Sequence, residues 1–139
     1  MKLAVIKDNG TTKEVVRLAQ DAGFAAEDIL VARSREEALT LLEKLIPDVA
    51  VIDPHLTPHN ERLEDGIDVI RTLRGKSKEC IIICFTMGSN TELGVRALQA
   101  GAQDYIDASW PRVNWCSLLR ERLNMWRGVA LERAEHDEK

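Results

Sequence analysis

Long apolar runs are missing from this chain. The longest, Cys80 to Phe85, spans six residues, against the ~20 that a membrane-crossing helix needs. The opening stretch Met1–Ile6 reaches the charged Lys7 too soon for a signal peptide, so neither membrane nor secretion is expected. Cysteine is scarce, with three residues, an odd number without metal-ligand spacing. That excludes a disulfide framework or a zinc cluster, and it fits reduced thiols in a cytoplasmic protein. Four prolines and eight glycines are too few for a collagenous or low-complexity chain. No dense basic run occurs, and the net charge of −4 makes nucleic acid an unexpected direct partner. Aromatic residues amount to three Trp, one Tyr and two Phe, a thin supply for stacking on a flavin.

What is present is an ordinary globular composition, 45% hydrophobic and 30% charged over 139 residues. A chain of that size forms one domain and buries about two-thirds of its unfolded surface without disulfide or metal support. Short apolar runs alternate with helical patterns from end to end. The runs are Leu3–Ile6, Ile29–Val31, Val49–Ile52, Cys80–Phe85 and Tyr105–Ile106. The helical patterns cover Thr11–Ala22, Ser34–Leu45, Asp65–Arg74, Asn90–Ala100 and a last segment from Pro111 to about Ala134. Val49–Ile52 and Ile81–Ile83 are continuous rather than alternating, as strands covered by helices on both faces require. Thr11 or Thr12 is placed to cap the first helix, and Ser34 with Glu37 makes a capping box for the second. Pro47 stops the second helix, and Pro111 suits the first turn of the last. The expectation is an α/β, doubly wound parallel sheet of five strands with five helices.

In such a sheet, function collects beyond the carboxyl ends of the strands. The residues delivered there are Lys7 and Asp8 after the first strand, Asp53 after the third, Thr86 after the fourth, and Asp107, Ala108 and Ser109 after the fifth. Asp8 and Asp53 come from separate stretches of chain. Two carboxylates in one cleft repel each other unless a cation sits between them, and hard oxygen ligands suit Mg²⁺.

These motifs resemble the receiver domains of bacterial two-component response regulators, over Lys2 to roughly Trp126. Lys2–Asn9 (KLAVIKDN) is similar to the strand ending in that family's acidic pair, and Val49–Asp53 (VAVID) to the strand ending in its phosphoacceptor. Phe85–Thr86 matches the hydroxyl residue closing the fourth strand, and Ala97–Ile106 (ALQAGAQDYI) matches the fourth helix and fifth strand. The resemblance implies a flavodoxin-like sheet in the order 2-1-3-4-5, with a receiver domain over 1–127 and a C-terminal helix extension and polar tail over 128–139. It implies Asp53 as phosphoacceptor, Asp8, Asp53 and the backbone carbonyl of His55 as ligands of Mg²⁺, and Thr86 as phosphoryl contact. Thr86 and Tyr105 would form the switch. The implied partners are a histidine kinase or phosphotransfer protein and a downstream protein, and no catalytic output is expected.

The chain departs from that pattern. Lys7 stands where the family has the first acid, Ala108 where it has a lysine, and Ser109 where it usually has a proline. The pocket residues Lys7, Asp8, Asp53 and Ala108 sum to −1. The sequence leaves two readings of Lys7 open: it pairs with Asp53 and opposes Mg²⁺, or it snorkels outward. Mg²⁺ is therefore expected to bind weakly or not at all. Pro58 and Gly66 follow Asp53 at wider spacing than is usual, so the loop between is long, and it carries His55, His59, Glu61, Arg62 and Glu64. A loop of this kind is more often a contact surface than a metal cage.

Two functions remain in competition: a phosphorylatable atypical receiver, and a pseudo-receiver binding proteins independently of phosphate. Enzyme readings are remote. Asp53–Thr57 (DPHLT) echoes a phosphotransferase nucleophile motif, but with histidine for the second acid and after the wrong strand. The Asn9–Thr12 turn is a weak flavodoxin-like phosphate cradle, with Trp110 alone placed to stack. The last helix carries more apolar surface than one covered side needs, with Trp115, Leu118 and Trp126 as candidate interface residues of a homodimer or a partner contact.

Overall fold

The computed structural model describes residues 1–8, 10–56, 65–88 and 91–137. Strands β1 (Leu3–Ile6), β2 (Ile29–Ala32), β3 (Val49–Ile52), β4 (Ile81–Thr86) and β5 (Asp104–Asp107) alternate with helices α1 (Thr12–Asp21), α2 (Arg35–Lys44), α3 (Asp65–Lys76), α4 (Thr91–Ala100) and α5 (Trp115–Asp137). A short 3₁₀ turn, Ala26–Asp28, leads into β2. The strands form one parallel sheet in the order β2-β1-β3-β4-β5. That is the doubly wound, flavodoxin-like order, reached through helical crossovers that cover both faces.

The continuous apolar strands are buried throughout, and the successive side chains of each divide between two cores. Ala4, Ile6, Ala50, Ile52, Ile82 and Cys84 face α2, α3 and α4, where they meet Leu42, Ile67, Ile70, Leu73, Leu93 and Ala97. Leu3, Val5, Val49, Val51, Ile81, Ile83 and Phe85 face α1 and α5, where they meet Val15, Leu18, Leu119 and Leu123. Each large aliphatic side chain buried this way stabilises the fold by about 1.5–3 kcal/mol. Cys80 and Cys84 are buried, and burial pushes both thiols up, Cys80 to about 12, so neither is a nucleophile near neutral pH.

Local signals differ in places from the sequence expectation. The Ser34 hydroxyl caps α2, accepting from the Glu37 N–H at 3.1 Å. Thr11 occupies the N-cap position of α1 without a side-chain cap bond, while the Thr12 hydroxyl turns back toward the Lys7 carbonyl at 3.5 Å. The last helix begins at Trp115 rather than at Pro111, because Asn114 is the better cap: its side-chain oxygen accepts from the Ser117 N–H at 3.2 Å. Pro111 falls in the turn before it, beside Arg112 at a φ of 64°.

Helix α5 runs unbroken through residues 127 and 128 and packs well beyond them. Ala130 is buried, and Arg133 donates to the Glu79 carbonyl at 2.9 Å. Trp115, Leu118 and Trp126 are partly buried against the α1/α5 core. Trp126 also donates its indole N–H to Asp104 Oδ2 at 2.9 Å, and Arg122 donates to Oδ1 at 2.6 Å. Part of this apolar face is therefore spent within the domain, and the candidate interface residues Trp115, Leu118 and Trp126 are half-buried against its own core. The large apolar side chains that α5 leaves exposed among the described residues are Met125 and Leu131.

Candidate functional site

The carboxyl ends of β1 and β3 lie side by side, which brings Lys7 and Asp53 together. Backbone bonds fix both exits: Lys7 N–H donates to Ala32 O at 3.0 Å and Asp53 N–H donates to Ile6 O at 2.9 Å. Lys7 Nζ then donates to Asp53 Oδ2 at 2.8 Å, with the two residues only 2% and 6% exposed. The same ammonium lies 5.4 Å from the centroid of the Phe85 ring, on the α1/α5 face of the sheet. Lys7 thus points inward, held by a carboxylate and an aromatic face. Asp53 Oδ1 accepts the His55 N–H at 2.8 Å, which folds the chain into a tight turn after β3. The first turn of α3 presses on that turn. Gly66 N–H donates to Pro54 O at 3.1 Å, and a side chain at Gly66 would overlap the Asp53 carbonyl and the Pro54 backbone. Only glycine allows this approach.

Asp8 stands beside this pair, half-buried. Burial and then the Asp53 charge raise its pKa above the ordinary value, with Lys7 acting in the opposite direction. The oxygen donors expected for Mg²⁺ are thus present in kind: Asp8, Asp53 and the His55 carbonyl. They do not fit a divalent ion in this arrangement. A buried ammonium already sits on Asp53 Oδ2, bringing like charge to the place the ion would fill. Among the described residues no group of three or more His, Cys, Asp and Glu side chains is arranged to hold a metal. His59, Glu61, Arg62 and Glu64 of the long loop lie outside the described residues.

The other half of the site is on the far side of β4. Thr86 and Asp107 are register partners in adjacent strands. The Thr86 hydroxyl is engaged with its own loop, donating to the Gly88 carbonyl and accepting from the Gly88 N–H, each at 3.2 Å. Tyr105 donates its hydroxyl to Asp107 Oδ2 at 3.2 Å and meets Trp110 edge-on at 5.4 Å. Its ring lies against Gly94 of α4 so closely that a methyl group there would overlap it. Ala108 fills its position with a methyl packed on the α1/α5 core.

Residues 4–117 match the family described as Response regulator receiver domain. The chain belongs to this family. Its relatives include the transcriptional regulatory protein PhoP of Escherichia coli K12, 32% identical over 107 residues covering 76% of this chain and 44% of that protein. The acid tolerance regulatory protein ActR of Rhizobium meliloti is 31% identical over 104 residues, covering 75% of this chain and 50% of that protein. The chain thus matches half or less of the length of these two relatives. In fold it is similar to the receiver domain of NtrX from Brucella abortus, with a TM-score of 0.70 at 21% identity over 94% of this chain and 98% of that one. No helix among the described residues is long and apolar enough to cross a membrane.

Receiver domains typically bind Mg²⁺ at the phosphorylation site. Asp53, Lys7, Asp8 and His55 gather at one corner; Thr86 and Tyr105 gather at another, with Ala108 near them in sequence but packed on the opposite core. The sequence reading named every one of these residues, gave Phe85 and Asp107 no role of their own, and passed over Gly94. Phe85, which roofs Lys7, reads as one more core residue of β4. Gly94 reads as an unremarked helix residue. Asp107 had a signal: a carboxylate one residue beyond the Tyr105–Ile106 run, at a position where a covered sheet offers no water.

Proposed function

We propose that this chain is an atypical receiver of two-component signalling, with Asp53 a restrained phosphoacceptor and protein binding, rather than catalysis, as its output. The observation that carries the reading is the buried Lys7–Asp53 ion pair at 2.8 Å. It keeps the acceptor at the strand end where the family has it and neutralises it from within the protein. Phosphorylation by a histidine kinase, a phosphotransfer protein or a small acyl phosphate requires Asp53 to leave that partner. An Asp53 oxygen attacks phosphorus as the bond from phosphorus to the donor breaks: a phosphohistidine nitrogen leaves as neutral imidazole when its other ring nitrogen carries a proton, and an acyl phosphate oxygen leaves as the carboxylate. Lys7 lowers the availability of that oxygen, and Ala108 offers no ammonium to steady the product.

A second reading, the pseudo-receiver, draws support from the other corner. Thr86 and Tyr105 have local partners that do not involve Asp53, as a module with a phosphate-independent surface would. One experiment separates the two: intact-mass measurement after incubation with acetyl phosphate and Mg²⁺. The atypical receiver predicts a slow, incomplete gain of one phosphoryl group, absent from Asp53→Asn, and better retained in Lys7→Asp/Ala108→Lys. No gain in any of these proteins favours the pseudo-receiver. A gain that survives Asp53→Asn overturns the assignment of Asp53.

A further inference from the structure

Asp107 is the buried carboxylate that the acceptor chemistry leaves unused. It is 1% exposed, and no ion pair among the described residues involves it. Three neutral donors satisfy it instead. Ser109 gives Oδ1 both its N–H at 2.8 Å and its hydroxyl at 2.6 Å, and Tyr105 gives Oδ2 its hydroxyl at 3.2 Å. The Ser109 pair fixes the carboxylate's orientation, so Oδ2 is aimed at one place. A carboxylate held in a buried strand cannot turn to water if that donor leaves.

The Tyr105 ring is confined as well. Gly94 of α4 lies beneath it with no room for a methyl group, and Trp110 stands edge-on at 5.4 Å. If the ring left, it would open a void over Gly94 and orphan Asp107 Oδ2 in the same movement. Meanwhile Thr86 closes its hydroxyl on Gly88.

We infer that Asp107 is a positioning residue that clamps Tyr105 against α4, so that the β5 end of the site keeps one arrangement whatever the state of Asp53. The clamp replaces a movable aromatic with a fixed one and presents partners with a pre-set β5–α4 edge. The inference rests on the proposed receiver reading only in taking Asp53 as the input; the clamp itself stands on the contacts of Tyr105.

The chain has a single tyrosine, so its ring signals can be followed by NMR on tyrosine-labelled protein without a phosphoryl donor. Asp107→Asn keeps an oxygen acceptor and should leave the ring signals in place. Asp107→Val, which suits a covered strand, should shift them and average the two sides of the ring. Ser109→Ala, which loosens the carboxylate without touching the core, should give a smaller shift in the same direction and serves if the valine variant fails to fold. Burial and the Asp107 charge hold the Tyr105 hydroxyl up at about 12, so its ultraviolet titration should fall toward the usual value in Asp107→Val. In the presence of Asp107, Asp53→Asn should leave the ring signals unmoved. Ring signals unchanged in both Asp107→Val and Ser109→Ala would overturn the clamp. Ring signals that move as far in Asp53→Asn as in Asp107→Val would overturn the uncoupling. Neither readout depends on whether Asp53 accepts a phosphoryl group, so failure of that reading stays distinguishable.

Discussion

The two corners of the site solve the same problem by different means. At the β1–β3 corner a buried carboxylate, Asp53, is answered by a full positive charge from Lys7. At the β5 corner a buried carboxylate, Asp107, is answered by a tyrosine hydroxyl and two donors from Ser109. Charge compensation is long-ranged and forgiving of geometry, whereas hydrogen-bond compensation is short-ranged and depends on where each donor sits. The first corner should therefore respond to changes of charge and the second to changes of shape. The positive charge at the first corner belongs to Lys7, while Ala108 supplies none at the β5 end.

The comparison breaks most visibly if Lys7 loses its charge. Lys7→Met leaves Asp53 buried without its ion partner and should cost about 3–5 kcal/mol in urea unfolding. The double variant Lys7→Met/Asp53→Leu should recover most of that loss, which measures the coupling directly. A shape change tests the other corner: Gly94→Ala drives a methyl group into the Tyr105 ring and should cost about 1–3 kcal/mol. It should displace the tyrosine NMR signals while leaving the Lys7–Asp53 coupling unchanged.

Two smaller effects concern pH. Tyr105 is held neutral in the fold up to about 12, against an ordinary value of 10.0. The unfolded chain therefore loses that proton first, and the stability the hydroxyl contributes is full below the ordinary value and lost as pH rises from there through the folded value. Tyr105→Phe should remove that alkaline loss from the stability profile. Asp8 is the weakest lever. Its pKa is raised, so its charged form works against the fold and stability from this group falls as pH rises past its ordinary acid value. Asp8→Asn should raise neutral-pH stability by about 0.5 kcal/mol at most, the scale of a partly solvated charge.

The fold was legible because its central strands, Val49–Ile52 and Ile81–Ile83, are apolar without interruption, a pattern that covered parallel strands require. The ends of β5 were not, since Asp104 and Asp107 are polar residues inside the sheet whose partners, Arg122, Trp126, Tyr105 and Ser109, are set by tertiary packing. The start of α5 was misplaced because the proline signal at Pro111 outweighed the Asn114 cap in a reading by local pattern. At the site, beside Tyr105, which the family resemblance supplied, strand-end counting found Lys7, Asp8, Asp53, Thr86 and Asp107. It left the direction of Lys7 open, because that depends on whether a carboxylate and an aromatic face lie within its reach. Asp53 comes from β3 and Phe85 from β4, so only the assembled sheet settles it.

The central claim is that the Lys7 ammonium holds the place a divalent cation would otherwise take beside Asp53. Calorimetric titration of Mg²⁺ into the unmodified chain and into Lys7→Asp tests it most directly, with the thermal midpoint of each followed in parallel. The account predicts little or no binding heat and an unchanged midpoint for the natural sequence. Lys7→Asp should show saturable binding, with a midpoint that climbs with Mg²⁺ concentration as mass action requires. Equal binding by the two proteins would contradict it.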